Sequence, residues 1–220
     1  MSGRSADEKL RRWFAVICNL LVFVFTAVGV SRFFISGGQG NMSVWGVRGF
    51  MFFTVDSNVL AAVAGLFCLI RELRGEALTK TEAVLKYVGS VAVAVTFFTV
   101  LLFLGPVFGF RGMYQGNNLF MHMVSPLLCM LSLCLSENLP PLRLRSTLLG
   151  LIPTAVYGAV YFVMVVVLRR WFDFYGFNMG GMWPVSFALM LLATWLLSLL
   201  LWAVRRALGK RRTAAEAAAV

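Results

Sequence analysis

Two short polar stretches interrupt a sequence that is otherwise mostly apolar. One reads Phe53-Thr54-Val55-Asp56-Ser57-Asn58, and the other Asn117-Asn118-Leu119-Phe120-Met121-His122-Met123-Val124-Ser125-Pro126. On a helix Thr54, Ser57 and Asn58 share one stripe, and Asn118, His122 and Ser125 share another. An alcohol is a weak nucleophile until a base removes its proton, and an imidazole, titrating ordinarily at about 6.5, is the usual base at neutral pH. Thr54 and His122 are therefore a candidate nucleophile and general base for attack on an ester carbonyl. Asn58 or Asn118 would stabilise the developing oxyanion or orient the imidazole, and Ser57 stands one turn from the threonine. Asp56, two residues beyond Thr54, points away from it; binding Arg48, meeting another helix and supporting the histidine are all open to it. The plainer reading of the same residues is a polar contact that joins two helices, because a threonine in a membrane helix ordinarily bonds its own preceding turn or a neighbour.

No metal or other cofactor is expected. His122 is the only histidine, and no second cluster of ligands has suitable spacing. The Gly-rich stretches 36–40 and 175–181 lack phosphate-loop spacing and follow no strand, so they read as turns unless they cover a site.

The elements that must position these residues follow from the apolar runs. Of the 220 residues 60% are hydrophobic and only 13% charged, more apolar surface than a soluble fold can hide. Runs long enough to cross a hydrocarbon core fall at about 14–34, 49–70, 84–105, 118–136, 147–168 and 184–204. The expected fold is all-α: one domain, a bundle of about six transmembrane helices, with a basic and then alanine-rich tail over 205–220. The fourth run is the shortest and most polar, which leaves a re-entrant segment as its alternative. The first exceeds the apolar core of a secretory signal and is expected to stay as a helix. If the second and fourth runs begin level, Thr54 and His122 both lie roughly 6–8 Å deep in one leaflet.

A net charge of +11 raises nucleic acid as a partner, yet the cations sit in short clusters between apolar runs, which excludes a basic binding face. They read as topology signals. The N-terminal tail, the loop 71–86, the loop 137–146 and the C-terminal tail carry fifteen Lys and Arg, against five (Arg32, Arg48, Arg111, Arg169 and Arg170) on the other side. That bias places both termini in the cytoplasm. Cys18, Cys68, Cys129 and Cys134 all fall within spans, so no disulfide framework is implied.

The Phe-Thr-x-x-Ser-Asn pattern at 53–58, with Asn118, His122 and Pro126 at spacing N-x-x-x-H-x-x-x-P, resembles the androgen-induced/androgen-dependent family of multi-span membrane proteins and its six-span bacterial relatives. The likeness runs over roughly residues 14–204, and Asp56-Ser57-Asn58 follows the bacterial pattern. It implies a hydrolase of lipid esters, especially fatty acid esters of hydroxy fatty acids, with Thr54 as nucleophile and His122 as base. A lipid ester needs apolar walls, for which Phe52, Phe53 and Phe120 are candidates, and Arg48 or Arg32 would hold a fatty-acid carboxylate. Two other classes compete: a proton-coupled transporter relaying through Asp56 and His122, and a noncatalytic assembly or lipid-binding protein.

Overall fold

The computed structural model describes residues 6–35, 46–136 and 139–218. The Gly-rich stretch 36–40 and the side chains of Lys210, Arg211 and Arg212 lie outside the described residues. Six helices are long and apolar enough to cross a membrane: α1 (Ala6–Ser31), α2 (Phe53–Arg74), α3 (Lys80–Phe108), α4 (Asn117–Leu135), α5 (Ser146–Val167) and α6, whose span is Trp183–Gly209. The fourth run is thus a full spanning helix of 19 residues.

Helix α3 is the axis of the bundle. Its residues 89–96 are buried on every side, which explains why this run is built of Val, Ala, Ser, Thr and Gly rather than an amphipathic pattern. At Gly89 an added Cβ would come within 3.1 Å of the Ala61 Cα, so the closeness of α2 to α3 depends on two small residues. Val22, Ala61, Val93 and Cys129 meet at one level from α1, α2, α3 and α4. Helices α5 and α6 expose more of their surface, including Ile152, Val156, Leu189 and Leu196, as helices facing lipid do.

The connection between α2 and α3 is shorter than the apolar runs imply. Gly75, at φ 72°, ends α2 with its N–H on the Glu72 carbonyl, and the Glu76 N–H returns to Arg71. Only glycine takes that left-handed conformation without strain. Thr79 then opens α3 through a capping box with Glu82, whose carboxylate also receives Arg71 at 2.9 Å. As a result α3 begins at Lys80 and contains Lys86. That lysine, counted above among loop cations, is fully buried and donates to Asn19 Oδ1. It gives no topology signal, and the bias becomes fourteen to five.

Two prolines widen the helices that carry them. Gly105 donates to Val100 and Ser125 to Phe120, each five residues back, immediately before Pro106 and Pro126. A proline inside a helix has no N–H and crowds the carbonyl four residues earlier, and a turn of π-helix accommodates both defects. His122 lies in the middle of the second widened turn, Phe120–Val124.

Candidate functional site

Thr54 is the second residue of α2, which begins at Phe53 after a short 3-10 turn, Gly46–Met51, rather than at residue 49. Phe52 offers no side-chain cap to this helix. Instead the Phe53 N–H donates to the hydroxyl of Tyr175 at 3.2 Å, across 122 residues of sequence. The Thr54 and Tyr157 hydroxyls interact with the same phenol, and Tyr157 donates onward to the Met51 carbonyl at 2.6 Å. Burial pushes the Tyr175 phenol up to about 12, so it stays protonated and acts as a donor at neutral pH.

Tyr175 is delivered by the Gly-rich stretch between α5 and α6. Asp173 organises that stretch: its carboxylate accepts the Tyr161 hydroxyl at 2.7 Å and the N–H groups of Phe177 and Asn178 at 2.9 and 2.8 Å. The stretch is therefore a built cover. Beneath it lies a narrow hollow of about 40 Å³, lined by Thr54 and Phe53 of α2, Thr96 and Thr99 of α3, and a wall of Tyr157, Tyr161, Phe177, Trp183 and Phe187. Phe53 lines it as the sequence suggests. Phe52 instead packs against Phe174 at 4.9 Å and Phe120 against Phe25 at 4.7 Å, both away from the hollow.

His122 is buried, and its Nδ1 lies 2.7 Å from the Met113 carbonyl oxygen. A carbonyl can only accept, so Nδ1 carries the hydrogen and Nε2 keeps a basic lone pair. Asn58 joins the two polar stretches through their backbones. Its amide nitrogen donates to the Thr54 carbonyl at 2.8 Å and to the Met121 carbonyl at 2.9 Å. Two oxygens sharing one nitrogen lie at most about 6 Å apart, which brings the peptide group entering His122 close to Thr54. The side chains are engaged separately: the Thr54 hydroxyl meets Tyr175, the His122 ring meets Met113, and the imidazole does not line the aromatic hollow.

The supporting residues divide in the same way. Ser57 bonds the Thr96 hydroxyl at 2.8 Å and the Thr54 carbonyl at 3.1 Å. Asn118 donates to the Gly112 carbonyl at 3.0 Å, toward the α3–α4 connection. Arg48 is exposed on the 3-10 turn and lines neither this hollow nor the groove described below. Asp56 faces away from Thr54, as its spacing requires. Asn58 Oδ1 and Ser125 Oγ are buried without a hydrogen-bond partner among the described residues. Sequence reasoning missed Tyr157, Tyr161 and Tyr175; the alignment of Tyr157 and Tyr161 on one face, i and i+4 before an Asp173-Phe174-Tyr175 turn, was the available signal. No group of three or more His, Cys, Asp or Glu side chains gathers to hold a metal among the described residues.

No protein-family profile, curated protein or solved structure matches the chain.

Proposed function

We propose that this membrane protein cleaves a lipid ester, with Thr54 as the nucleophile and His122 as the base. The observation that supports this most is the setting of Thr54, a hydroxyl at the polar margin of an aromatic hollow enclosed among α2, α3, α5, α6 and their outer cover. Its apolar walls and polar margin match the chemistry of an ester carbonyl and its first methylenes, and the aromatic side chains must part to admit the rest of an acyl chain. The reaction requires the His122 ring, which lies outside the hollow in this structure, to turn Nε2 to Thr54; there it takes the Thr54 proton as the oxygen attacks the ester carbonyl, and the imidazolium returns it to the departing alkoxide. Water, deprotonated by the same nitrogen, then releases the fatty acid from the threonine ester. The substrate replaces Thr54 at the Tyr175 hydroxyl, which as a protonated phenol donates to the developing oxyanion. Both termini are proposed to lie in the cytoplasm, on the fourteen-to-five cation bias.

Purified protein given a fatty acid ester of a hydroxy fatty acid tests the reading. Thr54→Ala should abolish hydrolysis, Thr54→Ser should keep appreciable activity, and Ser57→Ala should reduce it much less than Thr54→Ala. Wild-type turnover by Thr54→Ala removes the nucleophile from the proposal. One observation favours a second reading, a noncatalytic lipid-binding protein: Asn58 already joins the two polar stretches as a structural bridge. Under that reading wild type releases no fatty acid, although it binds the ester.

A further inference from the structure

Phe53, Asp56, Ser57 and Leu60 recur at the spacing of one helix face and line a groove distinct from the Thr54 hollow. The opposite wall is α5, where Ile152 and Val156 are 51% and 60% exposed, so the groove opens sideways toward lipid. Its volume is about 380 Å³, and its lining contains no Lys, Arg or His. Among the described residues no hydrogen bond or ion pair reaches the Asp56 carboxyl oxygens; the nearby phenols of Tyr157 and Tyr175 lie within its field but are uncharged at neutral pH.

A half-buried carboxylate beside apolar walls normally has a counter-charge, because desolvation disfavours its ionised form. Here the first turn of α2 supplies only the partial positive charge of its amides, no side-chain cation lines the groove, and the groove itself is open and apolar. We propose that the groove binds an amphiphile with an ammonium head, the head on Asp56 and its alkyl chain along Leu60, Val88 and Val156. An ammonium compensates the charge and donates hydrogen bonds together. A hydroxyl head donates one bond and leaves the charge uncompensated, and an anionic head is repelled. This site stands whether or not Thr54 is a nucleophile.

Trp171 borders the groove and serves as its reporter. The full chain, in an uncharged maltoside detergent, is titrated with a long-chain alkylamine and the matching alcohol, each brominated on the chain to quench tryptophan. Trp171→Phe supplies the background from the other tryptophans. The amine should quench Trp171 saturably and at least tenfold more tightly than the alcohol, and Asp56→Asn should raise its half-saturation concentration at least tenfold without changing that of the alcohol. Equal binding of amine and alcohol by the wild type, or an unchanged amine affinity in Asp56→Asn, overturns the proposal. Should Asp56→Asn fail to fold, Leu60→Trp, read by competition against a radiolabelled alkylamine, fills the groove with Asp56 intact. It should abolish amine binding, and retention of wild-type affinity overturns the site.

Discussion

The side chain of Asn58 supplies Met121 with a hydrogen bond that α4 cannot make. In a regular helix the Met121 carbonyl would accept from residue 125, but the Ser125 N–H bonds Phe120 instead, and Pro126 has no N–H to offer. Asn58 fills the gap at 2.9 Å from another helix. The proline and the asparagine are therefore one device. Asn58→Ala should destabilise the protein by about 1–2 kcal/mol, and by clearly less in a Pro126→Ala background, where the helix can close on itself. Unfolding of the four proteins of this cycle in detergent measures the coupling, and strict additivity would dissolve the pairing.

Tyr175 caps α2 from a distant connection, so its hydroxyl should matter to the start of that helix. Tyr175→Phe leaves the Phe53 N–H without its acceptor and should cost about 1 kcal/mol, with faster amide exchange confined to the first turn of α2. The pH dependence has a definite sign. Folding raises this phenol from its ordinary value near 10 to about 12, so the folded state holds the proton more tightly than the unfolded state. The corresponding stability is fully present below about pH 10 and is lost as pH rises toward 12. Tyr175→Phe should flatten that part of the alkaline unfolding profile.

How far the fold could be read from the chain varied with the physical signal. Six apolar runs identify six helices because bilayer thickness sets their length, a constraint that acts on each run alone. The start of α3 was misplaced because hydropathy is blind to a cap: Thr79 and Glu82 begin the helix well before its apolar run, and this hid Lys86 inside the bundle. Thr54 and His122 were legible as rare polar residues in hydrocarbon. Their partners were not, since Tyr175 and Met113 reach them through connections whose paths depend on Asp173 and on the widened turn before Pro126.

The orientation in the membrane rests on cations whose count changed once Lys86 moved into α3. Single cysteines at positions 111 and 179, in a background with the native cysteines replaced, should react with a membrane-impermeant maleimide only from the non-cytoplasmic side. A cysteine at position 74 should react only from the cytoplasm. Labelling of position 111 solely from the cytoplasm would invert the topology.

His122 offers the sharpest separation of catalysis from architecture, because its two ring nitrogens have different duties. Nδ1 donates to the Met113 carbonyl and fixes the ring against the α3–α4 connection, whereas Nε2 is the proposed base. An asparagine amide can place a donor near the position of Nδ1 but has no basic atom at all. His122→Asn should therefore fold with near wild-type stability, while His122→Ala, which strips the donor from a buried carbonyl, should lose about 1–2 kcal/mol. Both should lower ester hydrolysis by roughly 10²–10⁴-fold, the usual worth of a positioned general base. Adding Thr54→Ala to either should make little further difference, since a nucleophile and its base act as one unit. If His122→Asn hydrolyses the ester at the wild-type rate, the imidazole is a structural donor to Met113 and the threonine must find its base elsewhere.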